Sequence, residues 1–127
     1  MRYIFELTVP ANTLAADPAQ LEISLVKGKL EHVEIAFPPG PASMVHVIIK
    51  EGLLQVSPAN QGGSHHWDHY TEIFSLNYPL TDNPSKLQLV GWSPDTKYSH
   101  IVTFRLDVAP KAKDDRSAIM EFIFGKR

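Results

Sequence analysis

The chain has 127 residues, a formal net charge of −2 and no cysteine. That length supports one domain with its own hydrophobic core, and the lack of cysteine excludes disulfides, thiolate catalysis and cysteine-based zinc sites. No basic stripe marks a nucleic-acid partner, and the apolar runs Met44–Ile49 and Ile119–Phe124 are too short for a membrane-spanning helix.

The opening MRYIFELTVP alternates apolar and polar residues and carries Glu6, unlike the unbroken apolar stretch of a secretory signal. A soluble chain made in the cytoplasm, with no membrane partner, is expected. Tyr3, Phe5, Leu7 and Val9 define the buried face of a first strand, which Ile4 interrupts and Pro10 ends. Leu21, Ile23 and Leu25 alternate with Glu22 and Ser24 in a second strand. Lys27-Gly28-Lys29 predicts a hairpin turn into a third, where Val33, Ile35 and Phe37 alternate with His32 and Glu34. One apolar and one charged face is the pattern of an antiparallel sheet with a wet side.

Pro38-Pro39-Gly40-Pro41 cannot sustain ladder pairing and predicts a stiff crossover. Met44–Lys50 is apolar on both parities, as in a central strand, with His46 expected in the core and satisfied by one hydrogen bond. Glu51-Gly52 turns the chain into Leu53–Val56. Pro58–Asp68 is irregular, His69–Leu76 is a strand, and Tyr78–Ser85 is read as loop from its two prolines. Lys86–Trp92 and His100–Val108 alternate again across the turn Ser93-Pro94-Asp95-Thr96, with Trp92 expected in the core. With Ser117–Phe124 the count is about nine short strands at intervals of roughly ten residues. The expected fold is an all-β antiparallel sandwich, jelly-roll-like, over residues 1–109. Residues 110–127 then form a charged linker and an apolar strand or arm. Ile119, Phe122 and Phe124 would aggregate if left in water, so they belong either to the chain's own sheet or to a neighbouring subunit.

The chemistry-bearing cluster is Ser64-His65-His66-Trp67-Asp68-His69. His65, His66 and His69 are candidate metal ligands. An i, i+4 pair converges only on a helix, however, and in a strand His65 and His69 would stand about 13 Å apart. Ser64, His66 and Asp68 make a triad on paper only, because adjacency in sequence is not triad geometry. Glu22, Glu31, Glu34 and Glu72 fall at strand positions that read as a solvated face. No phosphate-binding glycine loop or nucleophile elbow occurs. The sequence therefore points away from catalysis and requires no cofactor. Trp67, Tyr70 and Trp92 raise the alternative of sugar binding, with Trp67 expected to be partly exposed in its loop.

Three stretches carry a resemblance: KLEHVEIAFPPGPASMVHVIIKEGLLQVS at Lys29–Ser57 with Pro58-Ala59-Asn60 behind it, GWSPDTKYSHIVTFRLDV at Gly91–Val108, and ELTVPANT at Glu6–Thr13. Together they resemble small proteins encoded among the virion-structure genes of tailed phages, including thermophile phages and metagenomic relatives. The likeness covers roughly residues 5–108 and consists of turn and strand patterns, none of them catalytic. It implies a virion part, either a capsid-decorating (cement) protein or a head, neck or tail accessory. Such a part would contact itself, as a homo-oligomer such as a trimer, and other virion proteins such as the major capsid protein. Trp67, Ile119, Phe122 and Phe124 are the expected partner contacts. A carbohydrate- or receptor-binding sandwich is the alternative function.

Overall fold

Two-residue alternation with frequent proline and glycine punctuation gives eight strands in the computed structural model, which describes residues 1–40 and 42–110. They are β1 (Arg2–Val9), β2 (Ala19–Leu25), β3 (Gly28–Phe37), β4 (His46–Glu51), β5 (Leu54–Ser57), β6 (Tyr70–Leu80), β7 (Ser85–Trp92) and β8 (His100–Pro110). All pair antiparallel in two four-stranded sheets, β1-β8-β3-β6 and β2-β7-β4-β5. The order of strands across the two sheets is that of a jelly roll. Among the described residues there is no helix.

Each strand turns one face inward. Val33, Ile35 and Phe37 of β3, Val102, Phe104, Leu106 and Val108 of β8, and Leu87 and Leu89 of β7 are buried in one shared core. The outer face of the first sheet is wet. There Arg2 reaches Glu34 at 2.7 Å and Asp107 at 2.9 Å, and Arg105 lies 3.6 Å from Glu34. Exposed pairs of this kind contribute little individually.

The jelly roll corrects the expected β2–β3 hairpin. β2 pairs with β7 and β3 with β6 and β8, so Val26 and Lys27 carry the chain from one sheet to the other. Alternation reveals which face of a strand is buried but not which strand lies beside it. The β4–β5 hairpin is the one local pairing between consecutive strands in the described chain. A second correction concerns β6, which continues through Pro79 to Leu80 where a loop was expected. Only its β3 side is laddered, and an edge strand tolerates proline. β4 lies inside its sheet and buries Val47, Ile48 and Ile49 on both parities, as its sequence requires. The strand or arm expected at Ser117–Phe124, with Ile119, Phe122 and Phe124, lies outside the described residues.

The alternating direction of the strands gathers the connections β1–β2, β3–β4, β5–β6 and β7–β8 at one end of the sandwich. The connections β2–β3, β4–β5 and β6–β7 lie at the other, where Pro110 also sits, level with Gly28 and Leu80. Gly28 is held there at φ +154°, and a Cβ on it would stand 2.1 Å from the Ala109 carbonyl oxygen. Backbone cannot yield as a side-chain tip can. Gly28→Ala is therefore expected to cost about 1–3 kcal/mol in urea unfolding; a loss below about 0.5 kcal/mol would contradict this packing.

Candidate functional site

The β5–β6 loop, residues 58–69, is built around residues that alternate in direction as a strand does. His65 pairs with Val47 through both backbone hydrogen bonds, at 3.0 Å each, and so extends the edge of the second sheet beside β4. Its ring turns into the sandwich and stacks on Phe74 of β6. His66, next along, turns outward onto His46, the ring centroids 4.9 Å apart.

Glu72 organises the inward side. Its parity on β6 points it between the sheets, where Oε1 accepts from His65 Nδ1 at 2.9 Å and from Trp67 Nε1 at 2.8 Å. The carboxylate only accepts, which sets Nδ1 as the donor, and Nε2 then accepts from the Ser57 hydroxyl at 2.9 Å. Farther along the same edge the Tyr78 hydroxyl donates to Glu51, and burial with that carboxylate pushes the phenol pKa up to about 12. Two polar links thus tie the β6 edge of one sheet to the other sheet.

Ser57, His65 and Glu72 are connected in the order of a nucleophile–base–acid relay, which sequence reasoning missed. It looked for triad partners within the cluster itself and placed Glu72 on the solvated face. The relay does not lead to an accessible nucleophile. Ser57 is 2 % exposed, and the adjoining cavity of about 450 Å³ is lined by Ser43, Pro58, Ser64, His65, His66, Trp67 and Glu72, without Ser57. Nucleophilic attack requires the hydroxyl to reach a substrate carbonyl, so this geometry serves as a structural link.

The candidate metal ligands are not brought together. His65 faces the interior, His66 faces His46 on the outer surface, and His69 is exposed in the left-handed region at φ 48°. Among the described residues, no group of three His, Cys, Asp or Glu side chains is placed to hold a metal ion. The paper triad also comes apart. Ser64 Oγ lies 2.9 Å from His46 Nδ1, while Asp68 Oδ1 accepts from the amides of Gly40 and Ala42 at 2.9 Å each. Those amide bonds hold the Asp68 carboxyl below its ordinary range. They also fasten the proline-rich β3–β4 crossover to the β5–β6 loop. His46 and Trp92 were expected in the core. Both point outward, half-buried, with rings stacked at 5.6 Å.

The remaining two loops are joined in the same way. Ser93 N donates to the Thr13 carbonyl at 2.9 Å and Ser93 Oγ to the Pro10 carbonyl at 2.9 Å. On these stitched loops sit Leu14, Met44, Trp67 and Tyr98, one from each, all exposed, with Tyr70 beside Trp67 at 4.9 Å between ring centroids. Trp67 is 44 % exposed, as its loop position implied.

Burial lowers the pKa of His65 and of His46 below the ordinary 6.5, with the neighbouring His66 acting in the same direction. The attraction of Glu72 opposes this at His65 but does not reverse it. The unfolded chain therefore takes up protons first as the pH falls. The stability tied to these rings is complete above about pH 6.5 and is lost as the pH drops through their depressed values. Urea midpoints measured from about pH 7.5 to about pH 5.5 should fall steadily; midpoints that rise toward acid would contradict the burial.

No family model matches this chain, and no curated protein matches it. Among solved structures, the CBM36-1 domain of a multidomain xylanase from the hindgut metagenome of Trinervitermes trinervoides superimposes with a TM-score of 0.52 at 10% identity, covering 87% of this chain and 100% of that one. PirA matches over 83% of this chain and 94% of its own at 16% identity, with a TM-score of 0.39. The first likeness, to a carbohydrate-binding module, places the chain among antiparallel β-sandwich domains.

Proposed function

We propose that this chain is a non-catalytic structural component of a bacteriophage particle, a capsid-decorating or head/tail accessory protein that works by protein–protein contact. The observation that carries this reading is the loop end. Each of its four connections exposes one large apolar side chain, Leu14, Met44, Trp67 or Tyr98, and Tyr70 adds a fifth. Scattered apolar residues on a surface need no explanation, but five at the same end, three of them aromatic, have the composition of an interface. Hydrogen bonds accepted by Asp68 and Glu72 and donated by Ser93 hold the loops before any partner arrives. Little ordering entropy is then lost on docking.

The resemblance of Glu6–Thr13, Lys29–Ser57 and Gly91–Val108 to phage virion proteins supplies the setting. In that setting the protein acts in the virion without a cofactor, contacting copies of itself and a lattice protein such as the major capsid protein. Mass spectrometry of gradient-purified particles from a phage encoding the chain should find it among the virion proteins; its absence from them would contradict the proposal. Binding to particles that lack the protein should weaken about 30-fold or more for Trp67→Ala, compared at a temperature where the free variant is fully folded. Equal binding by wild type and variant would remove Trp67 from the interface.

A second reading, a carbohydrate- or receptor-binding module, is favoured by one feature. Trp67 stands beside the cavity whose wall includes Ser43, Ser64, His66 and Glu72, an apolar ring next to polar groups. The fold it shares with the xylanase module is compatible with that use. Glycan-array binding that disappears in Trp67→Ala would move the assignment to this reading, and an array without binding would leave the particle role standing alone.

A further inference from the structure

We propose that His46 of β4 and His66 of the β5–β6 loop together hold one borderline divalent cation, of which Zn²⁺ is the type, on the outer face of the second sheet. The register brings the two together. Val47 and His65 exchange both of their backbone hydrogen bonds, at 3.0 Å each. In an antiparallel ladder the residues beside such a pair, here His46 and His66, stand directly opposite each other with no backbone bonds between them. Side chains approach most closely at such positions. Val47 and the ring of His65 turn inward, so alternation sends both flanking imidazoles to the outer side. The pair is not the one that the cluster His65, His66 and His69 suggests, because its second member comes from a strand about twenty residues earlier in the chain.

Imidazole suits Zn²⁺, Ni²⁺ and Cu²⁺, and the spacing fits. With metal–nitrogen distances of about 2.0–2.1 Å, the ring centres of two imidazoles on one ion stand about 4.5 Å apart at a right angle and about 5.2 Å apart at the tetrahedral angle. The centroids of His46 and His66 are 4.9 Å apart, their planes tilted by 49°. The His46 ring is also held in place. Trp92 stacks on it at 5.6 Å, within 10° of parallel, and limits its rotation. Ser64 Oγ lies 2.9 Å from its Nδ1. By accepting from Nδ1–H, that hydroxyl leaves Nε2 with the lone pair a metal needs, the outer support that ligating histidines ordinarily have. The Asp95 carboxylate favours positive charge at this ring, and the chain has no cysteine to draw the ion elsewhere. Two protein ligands are fewer than a closed structural zinc centre uses, so water completes the shell and the ion exchanges readily. His46 belongs to a laddered strand and His66 to the loop, so the ion acts as a staple that fastens the loop to β4.

Calorimetric titration of the full-length protein with Zn²⁺ at about pH 7.5, where unperturbed imidazole is neutral, tests the site. One ion per chain is expected, with a Kd tighter than about 100 μM. His66→Ala should weaken binding about 10-fold or more, and so should His46→Asn, which keeps a partner for Ser64. His69→Ala and His32→Ala should bind within about twofold of the wild type. Excess Zn²⁺ should raise the urea midpoint of the wild type and of His69→Ala, but not that of His66→Ala or His46→Asn. The inference is overturned if the wild type binds Zn²⁺ more weakly than about 100 μM, which would reduce the two rings to ordinary packing. It is also overturned if His46→Asn binds as the wild type does, or if His69→Ala abolishes binding, since the ion would then belong to the loop histidines. Neither result bears on the particle role, which needs no ion.

Discussion

One carboxylate does much of the positioning in this molecule. A jelly roll has two open sides, and on the side between β6 and β5 the inward row of β6 meets the edge of the other sheet. Glu72 sits in that row and accepts from His65 on the facing sheet and from Trp67 in the loop between them. This acceptor is half-buried, and holding both donors on one oxygen favours a single arrangement of the loop that carries them. His65 adds two backbone bonds to β4 and passes a hydrogen bond on to Ser57. Trp67 is left with its ring nitrogen satisfied and its ring partly exposed beside Tyr70.

The loop end depends on that arrangement. Asp68 follows Trp67 directly, and its bonds to Gly40 and Ala42 bring in the β3–β4 crossover. Thr13 and Ser93 join the other two loops. Four connections that a sequence would leave as independent excursions are fastened in two pairs at one end, with an exposed apolar side chain on each. The same local chemistry explains why a serine, a histidine and an acid in hydrogen-bond order present no accessible nucleophile here. Ser57 lies within the fold, where it satisfies the buried imidazole.

Much of this was legible in the residues. Alternation in Leu21–Leu25, Val33–Phe37 and Val102–Val108 identified strands with one buried face, and the doubly apolar run at Val47–Ile49 identified an interior strand. The partnering of strands was not legible. Six of the seven connections cross between the sheets, and a period of two carries no record of the neighbour. The turn at Lys27-Gly28 illustrates this, since its glycine is required by the close approach of Ala109 and not by a hairpin. At the site, exposure of Trp67 followed from its loop. The inward turn of Glu72 did not, because a lone carboxylate in an alternating strand is usually solvated and its donors lie five and seven residues away in the preceding loop. His46 and Trp92 were misplaced for the converse reason. Their apolar neighbours suggested a core, yet their parity on β4 and β7 turns them to the outer surface, where they cover each other.

The central claim is that the loop between β5 and β6 is a preformed surface held by Glu72. Backbone ¹⁵N relaxation across residues 58–69 measures this most directly. Order parameters of about 0.85, equal to those of the strands, are predicted, with a fall in this loop alone when Glu72 is replaced by Leu. Values below about 0.6 in the unaltered protein would contradict the account.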